Sequence, residues 1–136
     1  GNAETVKVLL DEYADVGGKD VQQRTALMDA ASRGNAASTK LLVDRINKFD
    51  LPEMRRDLIN AKDDQGKTAL MDAVSSGNKD TVAELLKSKD IDLSVQDNDG
   101  KTAVMIAQEI RNKATTPAAQ KAADEILQAL NRKGTK

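Results

Sequence analysis

The chain has 136 residues, of which 39% are hydrophobic, 32% charged and 1% aromatic, and it contains no His, Cys or Trp. These absences exclude Ser-His-Asp and Cys-based catalysis, zinc sites built from imidazole or thiolate and any disulfide framework, and the lone aromatics Tyr13 and Phe49 cannot form a base-stacking platform. Twenty-one Lys and Arg against 22 Asp and Glu give a net charge of -1, so the molecule as a whole attracts neither nucleic acid nor an anionic membrane.

The predicted elements fall into four units within a single domain, 1–136. Residues 1–16 read as the second helix of a partial first unit, with Gly1-Asn2 followed by Val6, Leu9 and Leu10 at i, i+3 and i+4. That unit has no turn or first helix of its own, so the natural protein is expected to continue upstream. Residues 17–59 form the next unit. Thr25 is placed to cap a first helix that opens Thr25-Ala26-Leu27-Met28-Asp29-Ala30, and Gly34-Asn35 separates it from a second helix. An insertion at about 48–58 carries Leu51, Met54 and Leu58 at helical spacing, with Pro52 near a helix start. It reads either as a cover over the neighbouring helices or as a contact surface projecting from the array.

Residues 60–93 repeat the scheme without the insertion. The turn Asp63-Asp64-Gln65-Gly66-Lys67 leads into a helix with Ala69, Leu70, Met71, Ala73 and Val74, which stops at Gly77. Asn78 then opens a second helix with Val82, Leu85 and Leu86. Residues 94–133 begin with the turn Asp97-Asn98-Asp99-Gly100-Lys101 and carry about seven surplus residues near 113–119. The last helix sets Asp124, Glu125, Gln128, Asn131 and Arg132 beside Ile126, Leu127 and Leu130, as expected of a cap with a solvated outer face.

Two landmarks fix the period. Thr25 to Ala30 recurs identically at Thr68 to Ala73 and as Thr102-Ala103-Val104-Met105-Ile106-Ala107, at spacings of 43 and 34. Gly-Asn recurs at 1, 34 and 77, at spacings of 33 and 43. A helix pair of this size cannot bury its apolar stripe alone, so the units must stack. The period, the Thr-Ala-Leu-Met-Asp-Ala strings and the double-Leu second helices resemble ankyrin repeats, whose signature is a period of about 33 with Thr-Pro-Leu-His-x-Ala. The resemblance covers Gly1 to about Leu130, and its style is similar to bacterial members. It implies an all-α solenoid of stacked helix-turn-helix units with short β-turn or hairpin loops. Ala26, Ala69 and Ala103 replace the family's Pro, and Met28, Met71 and Met105 replace its His, exchanging a polar tie for adaptable apolar packing. The family's Gly after the second helix is also replaced, by Tyr13 and by the region of Lys89.

The resemblance further implies that a partner meets the turn tips and the exposed positions of the first helices, which line a groove. The tip positions are Gln22, Gln23 and Arg24, then Asp64, Gln65 and Lys67, then Asn98, Asp99 and Lys101. The groove positions are Asp29, Ser32 and Arg33, then Asp72, Ser75 and Ser76, then Ile106, Glu109 and Ile110. Asp29 and Asp72 occupy equivalent first-turn positions. They serve the helix dipole in solvated settings or a basic partner surface, with a cation site or acid/base chemistry as the least favoured reading. Ile106 breaks that pattern, as an apolar contact or as packing toward the cap.

No phosphate loop, nucleophile elbow or EF-hand is present, and Arg55-Arg56 is too little for phosphate binding. The expectation is a monomeric, non-enzymatic module without cofactor or metal that binds a protein rather than nucleic acid. The alternatives are an inhibitor of the immunity or antitoxin kind acting on a neighbouring bacterial enzyme, or a fragment of a secreted effector. No apolar run approaches the roughly 20 residues of a membrane span. The absence of Cys suits the cytoplasm or, with a leader removed upstream, the periplasm or secretion.

Overall fold

The structure is a computed structural model that describes residues 18–88 and 90–134. The partial first unit with Val6, Leu9, Leu10 and Tyr13, and the position of Lys89, lie outside the described residues. The described residues form seven helices in order: α1 (Ala26–Ser32), α2 (Ala36–Asn47), α3 (Pro52–Ile59), α4 (Ala69–Ser76), α5 (Lys79–Leu86), α6 (Ala103–Lys113) and α7 (Pro117–Gly134). Helices α1, α4 and α6 stack on one another as one layer, and α2, α5 and α7 stack as a second. Each first helix also packs against the second helix of its own unit, and α3 rests on α2.

Local chemistry explains where the helices begin. Thr25, Thr68 and Thr102 hold extended backbone, and each hydroxyl accepts the N–H of the Met three residues on at 3.3 Å, satisfying one of the orphan donors of a helix start. At Thr25 the bond is returned, because its own N–H donates to the Met28 thioether at 3.5 Å. The expected loss of a polar tie on replacing His is therefore partly made good by sulfur, a weak acceptor. Asn35 and Asn78 cap α2 and α5 through their side-chain oxygens, and Pro52 stands in the first turn of α3, where its missing N–H costs nothing. Gly34 and Gly77 take positive φ, 67° and 74°, to turn the chain out of the first helices.

The core runs between the two layers. It contains Leu27, Met28, Val43, Ile46, Leu70, Met71, Val74, Val82, Leu85, Ile126 and Leu130, with small Ala31, Ala73, Ala103 and Ala107 where backbones approach closely. Met105 departs from the expected packing and is 46% exposed. Its counterparts Met28 and Met71 are covered by the next unit, whereas no further unit follows α6 in this layer among the described residues.

The insertion covers the core at one end of the second layer. Leu58 and Ile59 are buried, Met54 is partly buried and Leu51 is exposed. Arg55 pins the segment, with Nε donating to Asp90 at 2.7 Å and Nη1 donating to the Phe49 carbonyl. Asn60 donates to the Asp90 carbonyl and accepts from the Asp92 N–H, so the inserted helix is tied to the loop after α5. At the other end, Lys79 pairs with Glu125 at 2.8 Å and Arg111 pairs with Asp124, fixing α7 to its neighbours.

Candidate functional site

Three Asp residues build the hairpin turns. Asp20, Asp63 and Asp97 recur at spacings of 43 and 34, in register with the capping threonines. Each Oδ1 accepts two backbone N–H groups at 2.9 Å, from the residues two and four positions on. The backbone closes over each turn, with Asp20 N–H donating to Arg24 O, Asp63 N–H to Lys67 O and Asp97 N–H to Lys101 O. The fourth turn residue needs positive φ. Gly66 and Gly100 supply it at 77° and 81°, while Gln23 adopts 64° despite its side chain.

Successive tips are joined edge to edge. Asp64 N–H donates to Gln22 O at 2.9 Å, Asn98 N–H to Gln65 O at 3.0 Å, and the Asn98 side-chain amide to Asp64 O at 3.1 Å. The fit is close enough that a Cβ on Gly66 would lie 2.6 Å from Asn98 Oδ1. The tips thus form a fixed ladder instead of separate loops, and their side chains Gln22, Gln23, Asp64, Gln65, Asn98 and Asp99 remain exposed.

Behind the ladder, Arg24 gathers three carboxylates from three segments. Its Nε lies 3.1 Å from Asp29 Oδ1, its Nη1 2.9 Å from Asp63 Oδ2 and its Nη2 3.1 Å from Asp72 Oδ2. The Asp63 and Asp72 side chains are only 4% and 9% exposed, Arg24 19% and Asp29 52%. The placement of Asp72 corrects the expectation of a solvent-facing groove residue. Stacking of α1 on α4 covers it, and Arg24, expected at an exposed tip, turns inward to meet it. Burial pushes the Asp72 carboxyl up to about 6; Arg24 pulls it down, Asp63 adds to the rise and Lys67 opposes it.

The remaining predicted positions divide. Ser32, Arg33, Ser75 and Ser76 are exposed at the ends of α1 and α4, with Ser32 and Ser76 donating to carbonyls within their own helices. Lys67 is half-buried. In the last unit Lys101 pairs with Glu109 at 2.9 Å, and Ile106 and Ile110 are partly buried. Sequence reasoning did not find Asp20 as a turn residue, because Gln23 stands where the other turns carry Gly; the spacing of Asp20 from Thr25, matched by Asp63 from Thr68, was the available signal.

This face presents exposed polar side chains on a hydrogen-bonded backbone frame. Asp29, Asp63 and Asp72 are engaged by Arg24, and among the described residues no group of Asp and Glu is arranged to hold a metal ion. No described helix is long and apolar enough to cross a membrane. The fold is similar to that of a chain in the crystal structure of the yeast ribosomal protein Rps3 in complex with its chaperone Yar1, with a TM-score of 0.71, 19% identity and coverage of 93% of this chain and 80% of that one. At that identity the likeness concerns the fold. Among curated proteins no sequence match is found. The family model for ankyrin repeats in three copies matches residues 1–97 and, overlapping, 50–130. With stacked two-helix units, capping threonines in register and a ladder of hairpin tips, the chain belongs to the ankyrin-repeat family.

Proposed function

We propose that the protein is a non-enzymatic module that binds another protein through the hairpin tips and the neighbouring ends of the first helices. The observation that carries this reading is the tip ladder. Its backbone hydrogen bonds fix the spacing of Asp64, Gln65, Asn98 and Asp99 while leaving their side chains exposed, so a partner would meet a preformed surface with little ordering cost. Ser32, Arg33, Ser75 and Ser76 extend the same surface, whereas Arg24 and Asp72 are spent on a covered ion pair that helps hold it, and Lys101 and Glu109 pair with each other in partial exposure. A similar fold occurs in a complex between a ribosomal protein and its chaperone, and a stable protein partner is the corresponding proposal here.

The test is affinity capture with the wild-type chain and with a variant carrying Asp64→Lys, Asp99→Lys and Ser75→Arg, each at an exposed position. The expected result is a partner held by the wild type and lost by the variant while the helical circular dichroism and melting temperature stay unchanged. Capture that survives the triple substitution would show that recognition lies elsewhere.

A further inference from the structure

Between about pH 5 and pH 7.5 this sequence has almost nothing of its own to titrate. It contains no His and no Cys, and ordinary carboxylates and lysines change charge near 4 and 10. Only a side chain forced out of its usual range can change charge there, and the Arg24 cluster supplies the force. Three carboxylates converge on one guanidinium at 2.9–3.1 Å, which leaves a formal charge of -2 in a largely covered site. Burial is the largest influence on Asp72, and the charge and hydrogen bond of Arg24 oppose it while Asp63 adds to it. The cation therefore does not offset the cost of drying this carboxylate.

The surroundings decide which carboxylate takes the proton. Asp63 Oδ1 accepts two backbone N–H groups, and Asp29 is half in solvent. Asp72 has neither aid. Among the described residues its carboxylate is held by Arg24, while the other charges whose fields reach it are Asp63 and Lys67. From α6 the equivalent position is the uncharged Ile106, and Lys101 and Glu109 pair with each other. On α5, Lys79 and Asp80 are exposed, and Glu84 pairs with the exposed Lys87 that follows the helix.

We propose that the Arg24 cluster is a pH-operated clasp between the two stacked units. In mildly acidic solution Asp72 takes up one proton, the excess negative charge of the cluster halves, and the junction of α1 with α4 tightens. At neutral pH the proton leaves, the cluster returns to -2, and the junction loosens. The direction follows from linkage. The native carboxyl sits at about 6 and an unfolded Asp near 3.9, so the native state binds more protons, and the stabilisation, full below the unfolded value, is lost as pH rises through 6. Between pH 7.5 and pH 5 these values give about a tenfold rise in the folding equilibrium constant.

The experiment is a carbon-13 NMR titration of the aspartate carboxyls of the wild-type chain from pH 4.5 to 8, with urea unfolding and amide exchange at both ends of the range. The expected results are an Asp72 midpoint near 6, a higher urea midpoint at pH 5 than at pH 7.5, and stronger protection of the Asp64 N–H that joins the two tips. In Asp72→Asn the urea midpoint becomes flat across this interval. An Asp72 midpoint below about 4.5 overturns the proposal, as does an Asp72 titration near 6 with no change in wild-type stability or Asp64 protection. Both outcomes are read on the wild type even if the variant fails to fold.

Discussion

Replacing Arg24 by Met keeps much of the packing of the aliphatic stem and removes the one cation that three carboxylates share. Removing one partner of a buried ion pair typically costs about 3–5 kcal/mol. Here the cost is smaller for two reasons visible in the geometry. Asp63 keeps its backbone donors from Gln65 and Lys67, and Asp29 is half exposed and can turn to water. Asp72 has no such alternative, and losing Arg24 removes what holds its carboxyl down, so it is driven further toward the protonated form. Protonation caps the cost, and Arg24→Met should lose about 1–2 kcal/mol at pH 7.5. Asp72→Asn should stabilise the wild-type background by about 1–3 kcal/mol, since it removes a charge that burial disfavours. In the Asp72→Asn background the cost of Arg24→Met should fall below about 1 kcal/mol, a coupling expected for residues in contact. Urea unfolding followed by circular dichroism measures all four corners of the cycle, with an unchanged denaturant slope as the control. A cost below about 0.5 kcal/mol, or the same cost with and without Asp72→Asn, would refute the reasoning.

The two turn glycines should separate cleanly. Gly66→Ala meets both strain at φ 77° and a Cβ 2.6 Å from Asn98 Oδ1 and 2.9 Å from its backbone nitrogen, so a loss of about 2–3 kcal/mol is expected in thermal unfolding. Gly100→Ala, at φ 81° with open space around its Cβ, should lose only about 1 kcal/mol. Among the described residues Thr39 and Thr81 bury hydroxyls without a hydrogen-bond partner, so Thr39→Val and Thr81→Val, nearly isosteric, should leave stability unchanged or raise it by up to about 1 kcal/mol in denaturant titrations. Asn78→Ala removes the cap that accepts from Asp80 and Thr81 and the bond its amide donates to Gly34 O; a loss of about 1.5–2.5 kcal/mol is expected, with faster amide exchange confined to the start of α5.

Much of this fold is legible in the sequence because its determinants are local. A threonine hydroxyl reaches the N–H three residues on whatever the rest of the chain does, and a glycine at 34 or 77 supplies positive φ where a helix must stop. The inserted helix from Pro52 follows from the same kind of signal. The candidate site is legible only as far as its period. The exposed tips Asp64, Gln65, Asn98 and Asp99 sit where alignment of the turns puts them. The fate of Arg24, Asp72 and Met105 depends on what the neighbouring unit brings, and that depends on the stacking offset, which no single repeat encodes.

Repetition itself creates the electrostatic problem that Arg24 meets. Each copy of Thr-Ala-Leu-Met-Asp-Ala brings a first-turn Asp, and each turn brings another, so stacking two copies sets Asp29, Asp63 and Asp72 around one point. The equivalent turn position holds Lys67 in the next unit and Lys101 in the last. A lysine ammonium offers a compact charge without the planar fork, so it cannot serve three carboxylates with separate nitrogens as Arg24 does. The last copy removes the need for such a group. Ile106 stands where the other units have Asp, α6 brings no first-turn carboxylate toward Asp72, and Lys101 in the turn is left to pair with Glu109 on the helix that follows. Among the described residues the departure of one residue from the repeat thus limits like-charge crowding to the junction of α1 with α4, and that junction is where stability should respond to pH.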